Sequence, residues 1–262
     1  IVLNHREINL SHPVLSACAE YGISLFSTGD NHQPSGVFLP FLPHSRTNRL
    51  LRLQLDIARP LAKQAWANVV RRKIENQAVC LRLAGCQGVD RLESYARRVR
   101  SGDPENLEGQ AAAFYFVQLY GSGFHRAEER WINAALDYGY AVLRGAIARG
   151  LVAHGLHPTV GLFHDSEQNA FNLADDLIEP FRPLVDLHAR KNVPAVEGDL
   201  TPSDKAALVA LLNVDVSMPQ GKMSVLSAIE YAVESLVRLF GADDSTLELP
   251  VLIGLQPHRL EC

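Results

Sequence analysis

The sequence is poor in cysteine, methionine and tryptophan, and it contains no long apolar run. Its four cysteines, Cys18, Cys80, Cys86 and Cys262, show no C-x-x-C spacing. That excludes a zinc ribbon or a disulfide framework and leaves buried or incidental thiols in a reducing, cytoplasmic setting. No stretch approaches the roughly 18 uncharged apolar residues of a membrane span, so no contact with a bilayer is expected. An initiator Met is missing, and Ile1-Val2-Leu3 runs straight into the polar Asn4-His5-Arg6-Glu7. No signal peptide is expected, and the abrupt opening reads as a processed or truncated chain.

Hydrophobic residues make up 47% and charged residues 21% of the 262, ordinary for a globular protein and ample for a buried core. The net charge of −4 conceals an asymmetry. Between His44 and Arg100 there are 13 Lys/Arg against 4 Asp/Glu, and elsewhere 12 against 25. The global balance argues against nucleic acid, whereas this segment argues for it. Many of these cations solvate helix faces; Arg46, Arg49, Arg52, Arg71, Arg72, Lys73, Arg97 and Arg98 are the candidates for phosphate contact.

The texture changes near residue 44. Before it, Ile1-Val2-Leu3 reads as a strand end and Ser11-His12-Pro13 as a helix start with Ser11 as N-cap. Ile23–Ser27 and Gly36–Pro40 read as strands, with a loop at Gly29-Asp30-Asn31. After it the 3.6-residue period dominates. Helices are predicted near Leu50–Val70 (divided or kinked at Pro60), Arg71–Ala84, Val89–Val99, Asn106–Tyr120, Ala127–His154, Asn169–His188, Pro202–Asn213 and Val225–Phe240, with Leu247–Val251 extended. The expected class is α+β, mostly α: a small, incomplete N-terminal β-containing lobe over residues 1–43, then a large helical lobe over 44–262.

Three segments place metal-binding groups in suggestive settings. Glu108 opens a helix rich in small residues, where the dipole favours an acid. His164 ends the apolar Val160–Phe163 run. In Asn172–Glu179, Asp176 and Glu179 share a helix face at three apart, and so do Asp175 and Glu179 at four; spacing does not choose between them. Carboxylates suit Mg²⁺ or Mn²⁺, Mn²⁺ accepts imidazole, and such an ion serves phosphodiester chemistry. The plainer reading is a solvated acidic face and a satisfied histidine.

Taken together, Glu108-Gly-x-Ala-Ala-x-x-Tyr115, Gly161-Leu-Phe-His164 and Asp176-Leu-Ile-Glu179-Pro-Phe-Arg182-Pro resemble, in order and spacing, the signature segments of the CRISPR-associated spacer-acquisition integrase/endonuclease family. The details are most similar to versions found beside single-protein RNA-guided effector nucleases. The resemblance runs over nearly the whole chain, although the family's first strands have no counterpart before Ile1. It implies a metal-dependent endonuclease and integrase that joins 3′-hydroxyls of a short duplex to a repeat by transesterification. Glu108, His164 and Glu179 match the metal-binding and catalytic positions, and Asp176 falls where some members place an additional acid. It also implies double-stranded DNA as substrate, a homodimer, and a small second CRISPR adaptation protein as partner. If the three side chains share one ion, their crowding is expected to raise the pKa of at least one acid. Gly109, Ala111 and Ala112 would let their helix approach that of Asp175–Glu179.

Other signals are weaker. Gly121-Ser-Gly123 lacks a phosphate loop's strand and third glycine, and reads as a helix-ending loop. His154-x-x-His157 has no finger-spaced partners. Trp66, Trp131, Tyr115 and Phe116 read as core. Two competing functions stand beside the integrase: a nonenzymatic DNA-binding scaffold derived from the same family, and a metal hydrolase unrelated to DNA.

Overall fold

The structure, a computed structural model, describes all residues except Asn4, Arg6, Glu129, Glu197 and residues 29–33, 42–45, 242–245 and 260–262. The predicted loop at Gly29-Asp30-Asn31, the lobe boundary between residues 43 and 44, and Cys262 lie outside the described residues.

Near the N-terminus, β1 (Val2–Leu3) pairs parallel with β2 (Leu25–Thr28), and β2 pairs antiparallel with β3 (Pro34–Phe38). Between β1 and β2 runs α1 (His12–Glu20), with Ser11 at the N-cap and Pro13 in the first turn, where its missing N–H costs nothing. This small sheet rests on the helical body through Phe26. Its ring comes so close to Gly145 that a Cβ there would lie 1.6 Å from the ring edge.

The body is built on two long helices, α3 (Arg59–Leu83) and α6 (Trp131–Ala153). Pro60 does divide the basic segment: α2 (Thr47–Leu55) ends, and α3 begins with the proline in its first turn. No break occurs at Arg71, so the two predicted helices there are one. Against α3 lie α4 (Val89–Arg98) and α5 (Leu107–Tyr120); α6 packs on α7 (Asn172–Ile178), α8 (Arg182–Lys191), α9 (Pro202–Ala210) and α10 (Val225–Phe240). The expected Asn169–His188 helix is thus two, because Pro180 and Pro183 break the hydrogen-bond ladder. A second sheet, missed in the sequence, has order β5-β4-β6, from β4 (Val214–Met218), β5 (Gly221–Ser224) and β6 (Val251–Pro257).

The shared core includes Trp66, Val69, Val70, Ile74, Tyr115, Leu136, Leu143, Ile147, Leu177 and Val185, all essentially sealed from solvent. Within it Asn76 of α3 acts as a polar keystone. Its amide donates to Pro180 O at 2.7 Å and Pro250 O at 2.9 Å, and its oxygen accepts from Leu252 N at 3.0 Å. One side chain thereby ties α3 to the α7–α8 break and to β6, satisfying backbone groups that burial would otherwise penalise.

Among the described residues no helix is long and apolar enough to cross a membrane. Cys18, Cys80 and Cys86 are free thiols, the first two buried.

Candidate active site

Glu108 is fixed by the start of α5. Asp103 accepts from the backbone N–H groups of Leu107 and Glu108, both at 2.9 Å, and Asn106 caps Gly109 N at 3.2 Å. Asp103 and Asn106 both take positive φ, at 47° and 50°, the left-handed region that Asn and Asp tolerate best among non-glycine residues. With three first-turn donors satisfied, the half-buried Glu108 side chain points to α3.

There it meets Lys73, whose Nζ lies 2.7 Å from Glu108 Oε1 and also contacts Glu179 Oε2. The two acids therefore stand on either side of one ammonium. Glu179, at the C-terminal end of α7, is buried, and its other oxygen lies 2.9 Å from Arg182 Nε. Its Oε2 pairs with the Lys73 ammonium. Burial pushes the Glu179 carboxyl up, but Lys73 and Arg182 outweigh it and hold the acid below its ordinary range. The expectation of an acid raised by carboxylate crowding is thereby corrected at Glu179: two cations intervene. Burial likewise pulls Lys73 down, and the two glutamates more than compensate, keeping it charged.

Lys73 itself is a correction. Read in the sequence as a surface phosphate contact, it is 7% exposed and lies inside the candidate site. Of its basic neighbours, Arg71 is half-buried and spent on Asn68 Oδ1 at 3.1 Å and Val99 O at 2.9 Å. Arg72 is half-buried beside Glu75 at 2.9 Å. Arg46, Arg49 and Arg52 on and beside α2, and Arg97 and Arg98 on α4, are exposed, with Arg98 held by Glu105 at 2.6 Å.

His164 closes the loop before α7. Gln54, 1% exposed, grips that loop, donating to His157 O and Val160 O at 2.8 and 2.7 Å and accepting from His157 N at 3.0 Å. Asp176 then gathers its end: Oδ2 accepts from Leu162 N and Phe163 N at 2.5 and 3.1 Å, and Oδ1 from His164 N at 3.2 Å. His164 Nδ1 lies 2.8 Å from the same Oδ1. Gly161 is indispensable here, since a Cβ would stand 2.2 Å from His164 O and 2.8 Å from Asp176 Oδ2. Phe163 stacks on Trp66 at 4.3 Å, and His164 meets both rings edge-on.

These contacts resolve the ambiguity between neighbouring acids. Asp176, suggested as an additional metal ligand, has no solvent exposure and its four acceptor sites are filled. In this arrangement it orients His164. Asp175 faces elsewhere, toward Asn169 at 2.7 Å and Arg144 at 3.7 Å. The Asp176 hydrogen bond, reinforced by the charges of Asp176, Glu179 and Asp175, lifts His164 above its ordinary pKa against the effect of burial. A carboxylate on Nδ1 fixes the tautomer and presents Nε2 outward, the usual arrangement behind a metal-binding imidazole.

The donor set suits a hard divalent ion: two carboxylates and an oriented imidazole. Its present geometry is closed around Lys73. Among the described residues, no three His, Cys, Asp or Glu side chains stand close enough together to enclose an ion directly. The expectation that α5 would approach the Asp175–Glu179 helix is also revised, because α5 packs chiefly on α3 and α4 and Lys73 of α3 makes the link.

Beneath the site Asp186 of α8 is buried, accepting from Tyr115 at 2.9 Å and from Tyr140; Tyr115 also lies 3.0 Å from Cys80 Sγ. Burial raises Asp186 from 3.8 to about 6, the tyrosine hydroxyls offsetting part of it. A carboxyl raised in the fold contributes stability that is complete below 3.8 and lost as pH climbs through about 6. Between pH 4 and pH 7 the protein should therefore lose up to about 3 kcal/mol relative to an Asp186→Asn variant. Denaturant unfolding of both at several pH values checks this; parallel curves would contradict it.

The minor sequence signals resolve plainly. Gly121, φ 95°, caps the end of α5, and His154 caps α6 beside Glu230 and Glu234. Trp131 and Tyr115 are buried core; Phe116 packs against the core from a half-buried position.

Fold and site together define a mostly helical protein in which two acids flank one ammonium and a carboxylate one turn before the second acid holds an imidazole. Residues 1–195 match the family described as CRISPR associated protein Cas1. A CRISPR-associated endonuclease Cas1 from Neisseria meningitidis serogroup C is 42% identical over 268 residues, spanning 100% of this chain and 87% of that protein. A relative of the same description from Thermus thermophilus is 30% identical over 68% of this chain and 59% of its own length. Among solved structures, a casposase bound to integration product superposes with TM-score 0.74 at 19% identity, covering 94% of this chain and 79% of that one. A partial Cas6-RT-Cas1–Cas2 complex superposes with TM-score 0.64 at 17% identity, covering 95% of this chain and 87% of that one. This chain belongs to the Cas1 family.

Proposed function

We propose that this protein is a divalent-metal-dependent DNA endonuclease and integrase, which inserts short duplexes into a CRISPR array by attack of their 3′-hydroxyls on a phosphodiester. The observation that carries the reading is the facing of Glu108 and Glu179 across one cation position, with His164 oriented by Asp176 of the same helix that ends at Glu179. It agrees with the naming of relatives as endonucleases and of a structural neighbour as carrying an integration product. A bound Mg²⁺ or Mn²⁺ would supply Lewis-acid polarisation of the phosphate and stabilise the leaving oxygen. Glu108 and Glu179 supply the negative charge that retains such an ion, and His164 adds a neutral donor at Nε2 whose direction Asp176 sets. The Trp66–Phe163 stack keeps that loop rigid on one side.

The substrate is double-stranded DNA, held through phosphates, with the exposed Arg46, Arg49 and Arg52 as the strongest remaining candidates. Reversing all three to Glu should weaken duplex binding and reduce the slope of log affinity against log salt by about 3; a fluorescence titration with unchanged slope would place the DNA surface elsewhere. We further propose assembly as a homodimer with a small second adaptation protein, the reading that accords with a structural neighbour being part of a Cas1–Cas2 complex. Tyr21, Ile23 and Phe41 are exposed apolar side chains of the N-terminal segment and the candidates for such pairing.

The deciding experiment is strand transfer of a duplex with free 3′-hydroxyls into a repeat-bearing plasmid with Mn²⁺, run beside His164→Ala. Transfer by the wild type alone supports the integrase. Binding without transfer by either would indicate a DNA-binding scaffold, and metal-dependent hydrolysis of small phosphoesters without DNA binding an unrelated hydrolase.

A further inference from the structure

Lys73 has no part in the reading above, yet it occupies the position between the acids where a cation belongs. It sits on α3, buried, with its ammonium on Glu108 Oε1 at 2.7 Å and on Glu179 Oε2. Arg182 already lies 2.9 Å from the other Glu179 oxygen, so the two carboxylates are matched by two cations as they stand. Glu179 Oε2 has Lys73 as its only charged neighbour among the contacts of the described residues. An ammonium and a divalent ion cannot both hold these two oxygens at contact distance, because their like charges repel strongly in a poorly solvated site. We propose that Lys73 is a resident stand-in for the metal: it neutralises Glu108 and Glu179 in the metal-free protein, and a divalent ion binds only by displacing its ammonium from them. This rests on the metal-dependent reading above.

The consequence is a built-in competitor that sets the affinity for metal. Without a metal the two acids keep a second counter-charge beside Arg182, and metal occupancy requires enough ion to dislodge the lysine. A four-carbon stem gives the ammonium room to swing while its backbone stays fixed in α3.

The chain has five lysines, Lys63, Lys73, Lys191, Lys205 and Lys222, few enough for lysine-selective ¹⁵N NMR of the ammonium groups. Titrating Mg²⁺ into the full chain should shift or remove one ammonium resonance, that missing from Lys73→Arg, along the same curve that calorimetry gives for metal binding. In parallel, Mn²⁺ calorimetry on Lys73→Met should show affinity at least about tenfold tighter than wild type, whereas Lys73→Arg, which keeps the charge, should not tighten. Binding detectable only in Lys73→Met is the limiting form of the same result. If the wild type binds metal while the Lys73 resonance stays unchanged, or Lys73→Met binds no more tightly, displacement is wrong and the metal reading survives. Should neither protein bind metal, the metal reading fails and this inference with it. If Lys73→Met does not fold, the resonance titration and Lys73→Arg still decide.

Discussion

Glu108→Gln should lower Mn²⁺-supported strand transfer by on the order of 10³-fold, about 4 kcal/mol of transition-state stabilisation, and barely alter stability. The two effects separate because Glu108 is half-exposed and its helix start is secured by Asp103 and Asn106 rather than by its own side chain. Gln keeps shape and polarity while removing the charge that an ion needs. A melting temperature within about 2 °C of wild type, together with the lost activity, would locate the effect in chemistry. Glu179→Gln should behave differently. That acid is buried between Lys73 and Arg182, so its neutralisation strands Arg182 and leaves Lys73 with Glu108 alone, and a stability loss of about 3–5 kcal/mol should accompany the lost transfer. Assaying both variants beside thermal unfolding checks the contrast; similar melting temperatures for the two would mean that Glu179 is less constrained than its burial implies.

Asp176→Ala should be the most disruptive change in the loop. It deprives three consecutive backbone N–H groups and the His164 ring of an acceptor that is itself sealed from solvent. An unsatisfied buried donor costs about 1–3 kcal/mol and these four are part-buried, so a loss of about 2–4 kcal/mol is expected, roughly a 5–10 °C fall in melting temperature for a chain of this size. Asp176→Asn retains an acceptor oxygen and should lose less stability, yet it still weakens the hold on His164. Its strand transfer should fall by roughly 10–100-fold. If Asp176→Asn retained full activity, the orienting role would be wrong.

Much of the fold was legible where the signal is local. Ser11-His12-Pro13 starts a helix because the cap and the proline act within one turn, and Pro60 separates α2 from α3 for the same kind of reason. Val225–Phe240 stood out because its apolar residues keep one face over four turns. The second sheet did not stand out. Val214–Met218 is short and nearly all buried, so it lacks the alternation that marks a half-exposed strand.

The site divides along the same line. The acids and the histidine could be picked out by type and spacing, whereas their roles depend on partners far away in the chain. Lys73 looked like one more cation in Arg71-Arg72-Lys73, and only its contacts with residues 35 and more positions onward draw it into the interior. Asp175 and Asp176 are indistinguishable by helical period. Their difference is made by the loop before α7, which presents its N–H groups to one and leaves the other facing Asn169. Asn76 and Asp186 gave no local sign at all, being polar residues whose partners lie 104 and 71 positions away.

The central claim is that Glu108, His164 and Glu179 converge on one divalent ion. Pulsed electron paramagnetic resonance of the Mn²⁺-loaded protein tests it most directly, because a coordinated imidazole imprints its nitrogen modulation on the echo. The expected result is a single bound Mn²⁺ with a nitrogen signal that vanishes in His164→Ala, and binding that is lost when Glu108 and Glu179 are both replaced. A bound Mn²⁺ whose spectrum is the same with and without the His164 imidazole would contradict it.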